Sequence, residues 1–328
     1  MSVTAAQGFR AAGVRAGLKA SGKPDLALVV NDGPLDTAAG VFTTNRVVAA
    51  PVVWSRQLLA GEEGGQPGRA RAVVLNSGSA NACTGTQGMH DTEATAARTA
   101  GLLGAEPGQI LVCSTGVIGE RIDMPVLLEG VDVAALALAD TSQAGTDAAT
   151  AIMTTDTVSK EDALTVGAGD QGWTIGGMIK GVGMLAPGMA TMLAVITTDA
   201  ALTPQQAQDA LASATARTVN RINSDGCMST NDTVLLLASG ASGTTPSRAE
   251  LDEALTEVMS RLGRRLVADA EGATHDIAIT VSGAVSEEAA EAAARTVSSS
   301  NLLKCAVAGA DPNWGRILSQ LGTVPEDV

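Results

Sequence analysis

The stretch with the most chemical promise runs from Lys180 to Thr198 and reads KGVGMLAPGMATMLAVITT. A lone lysine, three glycines and one proline precede an apolar run that opens on a threonine. Gly181, Gly183 and Gly188 permit backbone conformations closed to other residues, and Pro187 stiffens the loop, so the chain before Thr191 can be held bent. A bend of that kind suits an intramolecular attack. Were the Thr191 hydroxyl pressed against the carbonyl of Ala190, an N-to-O acyl shift followed by hydrolysis would leave Thr191 as a new N-terminus. An alkyl hydroxyl is a poor nucleophile at neutral pH without a base in reach. Cleavage would supply one on the same residue, because an α-amine titrates at about 7.7–8.0. A glycine-rich turn feeding a buried strand gives the same pattern, and these residues alone leave both readings open.

Acyl chemistry also needs donors for the negative charge of its tetrahedral intermediate, each worth about 3 kcal/mol. Cys113 to Gly119, CSTGVIG, is the candidate, since it follows an apolar run and carries small polar residues. A strand-to-loop turn closed by a Ser or Thr hydrogen bond is the competing reading. Lys180, a cation amid apolar residues, is expected to seek a carboxylate. Cys113 has no histidine close by in sequence and is expected to be a small core residue. The four cysteines, Cys83, Cys113, Cys227 and Cys305, form no C-x-x-C pair, and only His90 and His275 could join them, so no metal site is expected.

These segments have to be positioned by regular elements. Apolar runs ending in turn residues predict buried strands at Leu26 to Val30, Ala72 to Leu75, Ile110 to Cys113, Met192 to Thr197, Val234 to Ala238 and Ile277 to Val281. Helices are predicted after Thr203, where Pro204 follows an N-cap, after Ser247, and from about Ser286 to Val297. Glycine-rich connections fall at Gly61 to Gly68 and Gly240 to Pro246. Alternating strands and helices without a repeat imply an α/β or α+β class with layered sheets.

With 328 residues, 45% hydrophobic and 17% charged, the chain can bury a sizeable core, though aromatics are only 2% and aliphatic side chains must fill it. A net charge of −14 without a Lys/Arg cluster argues against a nucleic-acid partner. The start MSVTAAQGFRAAG lacks the form of a signal peptide, and the longest apolar region, Met184 to Ile196, is too short for a span of about 20 residues. Isolated cysteines suit a reducing compartment, and the expectation is a cytoplasmic protein with no membrane partner.

Several motifs in order resemble the ornithine acetyltransferase family of glutamate N-acetyltransferases. They are KGVGMLAPGMATML, Asn76 to Gly85 (NSGSANACTG), CSTGVIG, Ile152 to Thr157 (IMTTDT), Ser229 to Thr233 (STNDT), Asp269 to Thr274 (DAEGAT) and Asp311 to Arg316 (DPNWGR). The resemblance spans nearly the whole chain. It implies a layered α/β sandwich of the DmpA-like type, cut between Ala190 and Thr191 into an α chain, residues 1–190, and a β chain, residues 191–328, that associate as a heterotetramer. It implies Thr191 as nucleophile, Thr115 and Gly116 as the oxyanion hole, and Thr154, Lys180, Thr191 and Glu271 as substrate contacts, with Thr155 an alternative to Thr154. It also implies a ping-pong transfer of acetyl from N-acetylornithine to glutamate, with no cofactor and with acetyl-CoA as a further possible donor. Trp314 is expected to be a packing anchor, with Asn313 and Arg316 ordering a loop near the site. Family members continue past the position of Val328 and bring a C-terminal Asn and a final hydroxyl residue to the pocket. This sequence carries neither, which predicts a pocket incomplete on that side. An amidohydrolase or aminopeptidase with the same self-cleavage, and an uncut non-catalytic protein, are the competing readings.

Overall fold

Apolar residues that alternate along a strand need a partner on each face, and here two stacked sheets supply it. The computed structural model describes residues 2–169, 172–185 and 192–325. In chain order the strands are β1 (Phe9–Val14), β2 (Leu26–Asn31), β3 (Thr37–Phe42), β4 (Ala72–Ser79), β5 (Ile110–Val117), β6 (Lys160–Val166), β7 (Trp173–Lys180), β8 (Leu193–Thr198) and β9 (Thr233–Ala238). The helices are α1 (Ala50–Ala60), α2 (Gly85–Leu103), α3 (Met124–Leu136), α4 (Ser142–Ala151), α5 (Pro204–Arg217), α6 (Arg248–Ala268), α7 (Glu287–Ser298), α8 (Asn301–Ala308) and α9 (Trp314–Leu321).

One sheet has the order β1-β2-β4-β5 and the other β3-β9-β8-β7-β6. In β8, Leu193 and Val195 join the core shared with the first sheet, while Ala194 and Ile196 join a second core beneath α5 and α6. β9 divides the same way, Leu235 and Leu237 against Val234 and Leu236. α2 and α3 pack on the first sheet and α5 and α6 on the second, so the molecule is a layered α/β sandwich.

Local signals act where expected. Thr203 accepts from Gln206 N and starts α5 with Pro204 in the first turn, and Ser247 and Glu250 form a capping box at α6. Ile277 to Val281, however, is not a strand. It is irregular chain largely open to solvent, and no strand among the described residues pairs with it. An apolar run becomes a strand only where a neighbour can take its backbone hydrogen bonds.

Candidate active site

Pairing brings the ends of three strands together. Lys180, the last residue of β7, lies opposite Leu193, the first of β8, and Leu193 lies beside Thr233, the first of β9. The other sheet delivers β5, whose Thr115 and Gly116 pair in parallel with Ser77 and Gly78 of β4. Asn231 clamps the two sheets at this point, with its Nδ2 donating to Ala80 O at 2.6 Å and to Ser114 O at 2.8 Å. Thr115, Gly116, Met184 and Ser229 to Asn231 line a small recess of about 10 Å³, about the size needed for one water.

Lys180 is almost fully buried and its Nζ donates to Thr115 Oγ1 at 3.1 Å. With its oxygen occupied as an acceptor, the Thr115 hydroxyl keeps its hydrogen for another partner, and the ammonium polarises it. A polarised hydroxyl next to the Gly116 backbone is suited to receive a developing oxyanion. Burial lowers the Lys180 pKa to about 8, partly offset by the carboxylates of Asp156 and Asp232, while Lys160 and Lys19 push the same way as burial.

A buried charge network continues from Lys180. Asp156 Oδ1 accepts from Gly181 N at 2.8 Å and from Lys160 Nζ at 2.7 Å, and Oδ2 accepts from Thr154 N at 3.0 Å. Burial alone would raise the Asp156 pKa, but Lys180, Lys160 and the Thr154 amide outweigh it and hold the carboxyl below its ordinary range. Lys160 Nζ also donates to Asp269 Oδ2 at 2.6 Å. Two residues on, Glu271 N donates to Val182 O at 2.8 Å. Glu271 is exposed and lines a different hollow, a cleft of about 730 Å³ bordered by Ile277, Arg295 and Lys304.

Thr115, Gly116 and Lys180 are therefore in one place, while Thr154 and Glu271 are tied to it through Asp156, Lys160 and Asp269. Thr154 is half-buried and Thr155 exposed. Ala190 and Thr191 lie outside the described residues, but the chain on both sides is pinned. Leu185 N donates to Asp225 at 3.1 Å, and Met192 N donates to Asp232 Oδ1 at 3.0 Å. Positive φ in the first part of the loop falls on Gly181, at 154°, and on Met184, at 54°, and not on Gly183. Asp232 is fully buried and its Oδ2 has no hydrogen-bond partner among the described residues. Burial lifts its pKa well above the ordinary value, against the opposing pull of the Met192 amide, Ser229 and Lys180.

Cys113 is buried and its thiol is pushed up to about 12 by burial, which suits a core residue and not a nucleophile. Trp314 does not anchor the core: it is 70% exposed at the start of α9, and Arg316 binds Leu302 O in α8. No group of three or more metal-ligating side chains occurs among the described residues, and no helix there is long and apolar enough to cross a membrane. Sequence reasoning gave no role to Lys160, Asp156 or Asp232. The last two stand inside quoted motifs, and Lys160 had no signal at all.

The ArgJ family pattern matches residues 10–328. The chain belongs to the ArgJ family. It is 59% identical over its whole length to the arginine biosynthesis bifunctional protein ArgJ of Bifidobacterium longum, covering 82% of that protein. Ornithine acetyltransferase of Mycobacterium tuberculosis, solved with ornithine, is 51% identical with a TM-score of 0.53, over 58% of this chain and 96% of that one. The fold alone is shared with an L-aminopeptidase D-Ala-esterase/amidase of Ochrobactrum anthropi, described as a variant of the Ntn hydrolase fold (13% identity, TM-score 0.50, 83% of this chain). ArgJ proteins are acyltransferases of arginine biosynthesis, and the membership fixes the reaction class where the fold by itself leaves a hydrolase open.

Proposed function

We propose that this ArgJ-family acyltransferase moves the acetyl group of N-acetylornithine to glutamate through an acetyl ester on Thr191, after the chain cuts itself between Ala190 and Thr191. The Thr191 hydroxyl attacks the acetyl carbonyl while the α-amine of the same residue takes its proton. Thr115 Oγ–H and the Gly116 N–H receive the oxyanion. Its collapse breaks the amide bond, and the proton held by the α-ammonium goes to the departing amine of ornithine. Glutamate's amine then attacks the ester by the same steps in reverse order, and Thr191 is regenerated. Lys180 faces a substrate carboxylate, and Thr154 and Glu271 hold the remaining polar groups. The sequence balances with no added cofactor, and acetyl-CoA can enter as an alternative donor to Thr191.

The observation that carries this reading is the hydrogen bond from Lys180 to Thr115, which joins the substrate cation to the oxyanion donor beside the first residues of β8. The two-chain state is supported by the match to the tuberculosis enzyme, where 58% of the 328 residues is about 190, the length up to the proposed cut. Residues 1–190 and 191–328 stay associated because β7 and β8, on opposite sides of the cut, are hydrogen-bonded from Ile175↔Thr198 to Lys180↔Leu193. Two copies of each chain form the assembly. The test is ornithine release from N-acetylornithine with and without glutamate, together with mass-spectrometric identification of the N-termini. Glutamate-dependent release and a terminus at Thr191 are expected. Release that ignores glutamate would point to a hydrolase, and an intact chain that still transfers acetyl would remove Thr191 from the mechanism.

A further inference from the structure

Lys160 has no role in the reaction as drawn, yet it is the hub on which the substrate contacts hang. Its side chain is wholly buried, as is that of Asp156, and Asp269 is nearly so. Its ammonium donates to Asp156 Oδ1 (2.7 Å), Asp269 Oδ2 (2.6 Å) and Val158 O (3.4 Å). Each carboxylate then hands the connection on. Asp156 accepts from Thr154 N and Gly181 N, the amides of one substrate contact and of the residue after another. Asp269 accepts from the amide and hydroxyl of Thr157 and stands two residues before Glu271, whose own amide is bound to Val182. One cation thus reaches the Thr154, Lys180 and Glu271 segments, which come from α4–β6, β7–β8 and the end of α6.

Stability is a weak reason for such an arrangement, because buried ion pairs are often no better for folding than apolar residues of the same volume. Geometry is a stronger one: contacts that must close on a single substrate gain from a rigid common anchor. We propose that Lys160 is a positioning residue for acyl transfer, touching no substrate and fixing the spacing of Thr154, Lys180 and Glu271. The proposal rests on those three being the substrate contacts of the function above.

Its charge also acts on Lys180, which faces the Asp156 carboxylate, the Asp232 carboxyl group, the cations Lys160 and Lys19, and the neutral hydroxyl of Thr115. Neutralising Lys160 removes one repelling cation and leaves the Asp156 charge undivided toward Lys180. Lys180 then keeps its proton to higher pH.

The test uses the full-length protein with Lys160→Met, Lys160→Arg and Asp269→Asn, each checked for a cooperative thermal transition. Ornithine release is followed against N-acetylornithine concentration and pH. Lys160→Met is expected to raise KM for N-acetylornithine by about tenfold to a hundredfold, with kcat changed much less, and to move the alkaline limb of kcat/KM upward. Lys160→Arg keeps the charge and returns both toward wild type. Asp269→Asn leaves the Asp156 pair intact and raises KM without moving the limb as far; it carries the test if Lys160→Met does not fold. Folded variants with wild-type KM and an unmoved limb overturn the positioning role. So does a loss of rate that only follows the fraction of folded protein. A wild type that releases no ornithine overturns the functional reading itself, and the positioning role with it.

Discussion

Lys180 and Thr115 meet across two different sheets, the ammonium at the end of β7 donating to the hydroxyl near the end of β5 at 3.1 Å. The contact is set by how the sheets stack and not by either strand alone. Donors held this way need no reorganisation when charge develops on a reacting carbonyl, which is where electrostatic catalysis gains most.

Thr115→Val keeps the shape of the side chain and removes its hydroxyl. Losing one oxyanion donor is expected to lower kcat by about 10²–10³. Lys180 also loses an acceptor, and stability should fall by about 1–3 kcal/mol. Thr115→Ser should retain most of the rate. Steady-state kinetics and denaturant titration on both variants decide it, and a valine variant with wild-type kcat excludes Thr115 from the chemistry.

Gly116 has a φ of 134°, and a Cβ there would lie 2.3 Å from the carbonyl carbon of Gly78, which is backbone of the neighbouring strand. Gly116→Ala must therefore push β5 away from β4 at the oxyanion position. Gly104 at the end of α2 is also left-handed, at φ 63°, but has open space around it. Gly104→Ala should cost about 1–3 kcal/mol for the conformation alone. Gly116→Ala should cost clearly more and abolish transfer. Equal denaturation midpoints for the two would show that close approach is not what requires the glycine.

Activity should fall as pH rises through about 8, where Lys180 gives up its proton, well below an unperturbed lysine at about 10.4. The α-amine of Thr191 works in its neutral form, so it produces the opposite, rising limb at about 7.7–8.0. The expected profile of kcat/KM is a narrow bell whose two apparent values belong to the site as a whole. Lys180→Arg stays charged throughout and should erase the falling limb alone. A falling limb that survives in that variant belongs to another group.

Much of this architecture is legible in the sequence because continuous apolar runs such as Ala72 to Leu75 or Val234 to Ala238 have few places to go but a buried strand. β7 is not legible, since its Gly176 and Gly177 break the apolar pattern. Gly176 is there because Ser2 O would lie 2.2 Å from a Cβ, a contact made by residues far away in sequence. The same limit hides part of the site. Val158 to Asp162, VSKED, looks like a solvated turn, and Lys160 is buried there between Asp156 and Asp269, the second of them 109 residues later. Trp314 fails in the opposite sense: an aromatic in a Pro-Asn-Trp-Gly run suggests an anchor, but it is left exposed among the described residues. The motifs mark where the chemistry is, and the residues that hold them in register are set by tertiary contacts.

Asp232 offers a test that reads stability instead of rate. Its folded pKa is raised by burial, so below the ordinary carboxylate range of about 3.9 the folded and unfolded chains carry the same proton. Above that range the unfolded chain has lost the proton while the folded one still holds it. The contribution is then lost progressively as pH rises toward and through the folded value. Asp232→Asn can still accept from Met192 N through its amide oxygen, but it has nothing to titrate. The melting temperature of the wild type should therefore drop relative to that of the variant as pH is raised from about 4 to about 7. Asp232→Ala removes the acceptor as well and should be less stable by about 1–3 kcal/mol at every pH. A wild-type-minus-Asn difference that stays flat over the window would mean that Asp232 ionises in the fold as readily as it does in water.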